Sequence, residues 1–519
     1  MKRILVLNVA LAALMVSLSA TAADLVFPNA DGLGDLASDD SWSPYGWDDI
    51  AGNRILFADG TATYTMATNC TFDSFCLSND YNTTVTFDLS NGVTNTLTGT
   101  GGLRLDPASY LSGKTRNNKT VFKGGVWDFS NRGSFTFDSG RLYGYATSMV
   151  LDGASFTNLT AFNGFNYIIN GDNSIVLTNG AHITAATGYL AHESTEGGRK
   201  CFEVVGGSTF AMTNAESGKA IMGPKMNGQA VVEHLLRVAG KGSSFYWKSA
   251  GANSYAAALC ITGSGKGLLR VEDEAKLEID CTLKALGVNK ATHNRLEVLS
   301  GAAMTVGKTL YFPSSRTSGA FDNTILVSNA TLTCAVVDFA ALTNEVLVLD
   351  GGRLETTGNF TVNGTGHRIV VDNSTCPLNA VDSSGEATWI FRGSRPRLSG
   401  NGFHAKGKTT FVFEFPEDGT GDFTNPIFSY YTCVKLDYVD THVLSFPNLE
   451  AFRKTLTKDV EIPLFKSGLK QTDEQKGVRI PEAVLASANL PEWASFKQTE
   501  QSLSLCVKKP PRGLMLIFR

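Results

Sequence analysis

Asn323-Thr-Ile-Leu-Val-Ser-Asn-Ala-Thr-Leu332 is followed by Asn344-Glu-Val-Leu-Val-Leu-Asp-Gly-Gly-Arg-Leu354 and by His367-Arg-Ile-Val-Val-Asp-Asn-Ser-Thr-Cys376. Each line carries an apolar run (Ile325–Val327, Val346–Leu349, Ile369–Val371), a small or polar turn, and one apolar residue. Leu332, Leu354 and Cys376 are spaced by 22 residues in both steps. A fixed period of this size is the mark of stacked repeats. Upstream, the closing apolar residue recurs at Leu105, Trp127, Phe156, Ile183, Phe210, Phe245, Leu277 and Met304, at steps of 22 to 35 residues.

A single short strand has no partner for its apolar face. If similar coils stack, each strand pairs with those above and below, about 4.7–4.9 Å away. A coil of 22 residues holds about three short strands and their turns, given strands of ~3–5 residues. Longer steps fit the same coil with an inserted loop. Val327, Leu349 and Val371 then form a ladder along a common axis. Asn or Asp before Gly recurs because those residues accept left-handed turn geometry. The reading is all-β, a parallel β-helix solenoid, right-handed as parallel crossovers are. The rival is a chain of antiparallel sandwiches, whose strands recur every ~8–12 residues without a longer period.

Bulk composition agrees. A chain of 519 residues exceeds one ordinary core. Glycine, 52 of 519, is above the ~7% norm, so turns are numerous. The net charge is −4, or −6 once Lys2 and Arg3 leave with a leader. That excludes a basic nucleic-acid surface.

Residues 1–23 read as a signal peptide: Lys2 and Arg3, an apolar Ile4–Val16, then Ala20-Thr21-Ala22. The chain is therefore expected to be secreted or on the cell surface, with no transmembrane segment after the leader. Residues 24–52 read as an irregular N-terminal cap, 53–408 as β-helix repeats, and 409–507 as terminal coils and a small capping region. The tail, 508–519, is basic and apolar. Within the capping region Leu449, Phe452 and Leu456 share one helical face, with Asn448 as cap. Cys70 and Cys76 are the one close pair of nine cysteines and are open to a bridge on export. Cys260, Cys281, Cys334 and Cys376 read as small apolar fillers.

Three segments carry a resemblance: Val348-Leu-Asp-Gly-Gly-Arg-Leu354, Ile175-Val-Leu-Thr-Asn-Gly-Ala-His-Ile183 and Val298-Leu-Ser-Gly-Ala-Ala-Met304. They are similar to repeats of bacterial autotransporter passenger domains and related secreted β-helix proteins. Trp47 to Gly60 resembles the opening coil of such proteins, and Leu490 to Leu505 their closing coil. No outer-membrane barrel follows in this sequence. The resemblance implies a scaffold, an adhesin or a glycan-contacting surface.

Polysaccharide lyases and hydrolases on this fold need clustered carboxylates, or Asp with Ca²⁺ and an Arg or Lys base. Asp350 and Asp372, 22 residues apart, and Asp152 in the same context are the acidic candidates. Asn179 and Ser300 occupy that slot elsewhere, which favours turn residues bonded to their own backbone. Asp39-Asp40 and Asp48-Asp49 lie in the cap and lack a nearby base, and Glu272-Asp-Glu274 reads as a solvated acidic turn rather than a Ca²⁺ site. The seven His (His182, His192, His234, His293, His367, His404, His442) show no metal-ligand spacing. Asn82, Asn118 and Asn359 match the glycosylation pattern, as an Asn- and Thr-rich chain does by composition. No catalytic, cofactor or metal residue is assigned. The expected function is a non-catalytic β-helix scaffold or adhesin contacting polysaccharide or cell-surface glycans, with self-association as a further partner mode. The alternative is a polysaccharide lyase or glycoside hydrolase, with a groove near 188–200 or 218–233.

Overall fold

The computed structural model describes residues 24–511 except 28–32, 36–53, 58–59, 66–68, 80–82, 106–115, 131–132, 139–144, 167–171, 192–198, 216–232, 250–254, 258–265, 285–292, 313–322, 438–441 and 471–475. The leader and the end of the tail lie outside them. So does most of the N-terminal cap, whose described parts, Asp24–Phe27 and Leu33–Asp35, are strands of the stack.

The fold is a parallel β-helix. Two sheets run its length, one of 16 strands that follow chain order and one of 23. One coil shows how the repeat winds. Thr324–Ser328 lies in the first sheet, Asn329 turns with φ 47°, and Thr331–Thr343 lies in the second. Val346–Asp350 then returns to the first sheet, beside Thr324–Ser328. The long strand slips register between Cys334 and Val337, so it has two arms. Slips of this kind bend a strand, and the coil gains three faces.

The 22-residue ladders are real contacts between coils. Val327 pairs with Leu349 and Leu349 with Val371 in the first sheet. Leu332 pairs with Leu354, and Cys376 with Leu398, in the second. All are buried in one continuous core. Trp127, Phe156, Ile183, Phe210, Phe245, Leu277 and Met304 precede them on the same ladder. Phe210 and Phe245 stack across coils with centroids 5.1 Å apart. Each such residue contributes about 1.5–3 kcal/mol by leaving water. Leu105 belongs elsewhere: it pairs with Phe137 on the second arm, and Asn95 is the residue opposite Trp127. Gly101-Gly102 resembles the turn signal but lies inside the long strand Thr94–Leu105. The coil at Thr83–Asp88 is in register with its neighbours on both sides.

The C-terminal end closes differently. Parallel pairing continues through Thr409–Glu414 to His442–Ser445. Val460–Ser467 and Ala494–Gln498 then pair antiparallel with Ser502–Val507. This ends the run of parallel edges that would otherwise stay open. Helix α1, Leu449–Thr455, buries Leu449 and Phe452 as the pattern predicts. Asn448 does not cap it; its side chain bonds the backbone N–H of Phe415 at 3.0 Å and tethers α1 to the last coil. A second helix, α2 (Glu482–Ser487), went unread because its six residues bury only Val484.

Cys281, Cys334 and Cys376 are core residues as expected; Cys260 lies outside the described residues. Cys70 and Cys76 lie on one strand, Cys70–Asn79. An extended chain rises ~3.3 Å per residue, which separates them far beyond the ~7 Å limit for a bridge. No helix among the described residues is long and apolar enough to cross a membrane.

Candidate functional site

The coil geometry turns every sequence position into a row along the axis, and three polar rows stand out. The first lies inside. Residues at or near the start of the first-sheet strands, Asn118, Thr147, Asn173, Lys200 and His234, are buried and stack in that order. After Gly267 the row continues through Asn294, Asn323, Glu345, His367, Ala387, Thr409 and His442. At some coil corners a buried N–H of this row has a side-chain acceptor in place of a carbonyl, and buried N–H groups need one or the other; Asn173, His367 and Ala387 of the same row donate to carbonyls of the next coil. Where a side chain is the acceptor, it comes from the next coil. Thr147 donates its N–H to Asn173 Oδ1 at 3.1 Å, Lys200 to His234 Nδ1 at 3.1 Å, and Asn294 to Asn323 Oδ1 at 2.9 Å. Asn323 Nδ2 donates onward to Glu345 Oε1 at 3.1 Å. Burial pushes the Lys200 amine down to about 7, against the field of Asp172. Burial, with Lys200 and Arg199 nearby, pushes His234 down to about 3. Asn118 faces inward here, so its glycosylation pattern is unavailable to an enzyme.

The second row closes the same strands. Asp350 stands opposite Asp372, Asp372 opposite Arg392, and Arg392 opposite Glu414. Arg392 Nε is 3.5 Å from both Asp372 and Glu414. Burial raises the Asp372 carboxyl, with Asp350 and Glu414 adding to it and Arg392 opposing. Asp152 holds the equivalent place many coils earlier, so it never meets the other two. The expected self-bonded turn is corrected. The left-handed residues are the next ones, Gly153, Gly351 and Asn373. The aspartates are strand ends bonded to other side chains: Asn179 Nδ2 donates to Asp152 at 2.6 Å, and Ser328 Oγ to Asp350 at 3.1 Å. Nearby charges are likewise spent between coils. Arg237 bridges Glu203 and Glu272, and Glu297 holds Arg270 of the preceding coil as well as Arg295 of its own strand. Asp273 and Glu274 take left-handed turn geometry, with Glu274 paired to Lys241.

The third row faces outward on the second arm of the long strands: Asp338, Thr361, Asp382, His404, Lys435 and Arg479, each opposite the next. Asp437 accepts from Lys435 at 3.1 Å and lies 2.5 Å from His404 Nε2; Lys406 pairs with Asp382 at 2.8 Å. Burial works to raise Asp437, but the hydrogen bonds from His404 and Lys435 outweigh it and hold its carboxyl low. The cluster brings together an imidazole, a carboxylate and an ammonium group, side-chain types used in general acid–base chemistry. This is the best-equipped chemical cluster among the described residues. Sequence reading missed it, although Asp382 and His404 are 22 residues apart. The period was followed at apolar positions and not at the polar ones between them.

Among the described residues no group of three or more His, Cys, Asp or Glu is placed to hold a metal ion. The grooves expected near 188–200 and 218–233 fall largely outside the described residues, as do Asp39-Asp40 and Asp48-Asp49. No family model, curated protein or solved structure matches this chain.

Proposed function

We propose that this chain is an exported, non-catalytic β-helix of the autotransporter-passenger type, a scaffold or adhesin whose outer faces contact polysaccharide or cell-surface glycans. The observation that carries this reading is the spending of outward charge in pairs between coils, as in Glu203–Arg237–Glu272. Paired charges stiffen a surface and leave few groups poised for chemistry. The leader-like start supports export.

A specific observation favours a second reading, polysaccharide elimination or hydrolysis at the row Asp382–His404–Lys435 with Asp437. There His404 serves as base and Asp437 orients the imidazole.

The test incubates the purified full chain with acidic and neutral polysaccharides. It follows retention on immobilised glycan, unsaturated products and new reducing ends. Retention without product is the expected result. Product formation that disappears in His404→Ala overturns the scaffold reading in favour of the second. Lack of both retention and product counts against glycan contact altogether.

A further inference from the structure

Tyr431 is 65% exposed, and its hydroxyl makes no hydrogen bond among the described residues. It sits at the corner between the two arms of the strand Phe428–Leu436. There Gly400 of the preceding coil stands opposite Tyr430 and Gly402 opposite Cys433, so Tyr431 and Thr432 share the single partner Asn401. An extra residue of this kind bends a strand and re-aims a side chain. The ring lies against Gly468, where a Cβ would come within 3.1 Å of Tyr431 Cδ2.

The same corner carries Asn401 and, 22 residues earlier on the coil before, Asn379; both are exposed. Thr432 Oγ1 donates to Asn401 Oδ1 at 2.6 Å, which orients that carboxamide and leaves its Nδ2 without a partner among the described residues. Asn379 is held by its backbone N–H, which donates to Thr356 Oγ1 at 3.2 Å, and its carboxamide has no partner among the described residues. Turn asparagines such as Asn179 and Asn373 instead spend their carboxamides between coils. Beside the corner the outward residues are Ala380 and Gly402, too small to cover the amides. The next outward charges are paired with one another, Lys406 with Asp382 and Lys435 with Asp437.

We propose that Tyr431, Asn401 and Asn379 form a binding strip for a neutral, extended oligosaccharide, an inference that rests on the glycan-contacting reading above. The strip rises one rung of about 4.7–4.9 Å per coil, and a pyranose in an extended chain advances by about as much. The electron-rich face of Tyr431 receives the C–H face of one sugar ring. Asn401 Nδ2 donates to a hydroxyl of the next sugar, and the Asn379 carboxamide donates to and accepts from the one beyond. A ring already seated on Gly468 loses little freedom on binding. Neutral amides beside paired charges suit hydroxyls and offer no cation to a uronate.

The test measures retention of the purified full chain on immobilised cellohexaose, mannohexaose and hexagalacturonate. Retention on at least one neutral oligomer, and less on hexagalacturonate, is expected. Tyr431→Ala and Asn401→Ala should each bind roughly 2–10-fold more weakly, while Tyr431→Phe keeps wild-type retention. Both side chains are exposed, so these variants keep the core intact. Retention equal in wild type, Tyr431→Ala and Asn401→Ala overturns the strip and leaves glycan contact to another face. Preference for hexagalacturonate overturns it too. A wild type retained on none of the three overturns both the strip and the reading beneath it.

Discussion

The backbone N–H of Asn294 donates to Asn323 Oδ1 at 2.9 Å, and both residues are wholly buried. One coil's strand therefore begins on a side chain of the next, and the same bond recurs at Thr147–Asn173 and Lys200–His234. Asn323→Ala removes the acceptor and leaves the Asn294 N–H unsatisfied. The expected loss is about 1–3 kcal/mol. Urea unfolding should show a lower midpoint with an unchanged slope.

Glycine at the close approach between coils is a separate test. A Cβ at Gly400 would lie 1.8 Å from the Leu378 carbonyl oxygen, whereas at Gly180 (φ 77°) it meets nothing within 4 Å. Gly400→Ala has to push two coils apart and should lower the thermal midpoint sharply. Gly180→Ala carries only the backbone penalty of a left-handed residue, about 1–2 kcal/mol. Scanning calorimetry of the two variants should rank them in that order.

The pH dependence follows from the buried histidines. His234 is held neutral, down to about 3, by burial and by Lys200 and Arg199. His367 and His442 are lowered in the same direction, first by burial. A lowered histidine means that the unfolded chain binds protons the folded one refuses. Stability is therefore fully present above the ordinary value of about 6.5 and falls as pH drops towards about 3. The His234 contribution is about 1.4 kcal/mol per pH unit at its steepest. Asp437, held low in the folded chain, adds loss in the same sense at acid pH, and Asp372, raised, opposes it. His234→Gln should flatten the stability profile across this window; an unchanged slope would show that His234 is not the buried neutral group.

At the outward row, Asp437→Asn keeps the shape of the contact with His404 and removes its charge. On the scaffold reading, glycan retention is the same in wild type, Asp437→Asn and His404→Ala. On the second reading, turnover falls ~10²–10⁴-fold in His404→Ala. Parallel binding and product assays on the three proteins read both.

Much of the architecture was legible because the solenoid repeats its burial pattern in the chain. Ile325, Leu347 and Ile369 recur at a fixed step, and so do Leu332, Leu354 and Cys376. Leu105 was misplaced because a Gly-Gly inside a strand looks like one at a turn. The interior row was not legible. Lys200, Glu345 and His367 are residue types seldom fully buried, and only the stacking of neighbouring coils shows them to be inside. The His404 cluster was hidden for a related reason: Asp437 joins it from a strand end 33 residues away.

The most direct test of one winding axis is cysteine cross-linking along a single outer row. Thr305 pairs with Thr333, and Thr333 with Glu355. The double variants Thr305→Cys/Thr333→Cys and Thr333→Cys/Glu355→Cys place their cysteines one rung apart, within the ~4.4–6.8 Å that a disulfide spans. In Thr305→Cys/Glu355→Cys they are two rungs apart, about 9.5 Å. The two adjacent pairs should oxidise to intramolecular disulfides in the folded chain and the distant pair should stay reduced. Failure of the adjacent pairs, or equal reaction of all three, would contradict the β-helix.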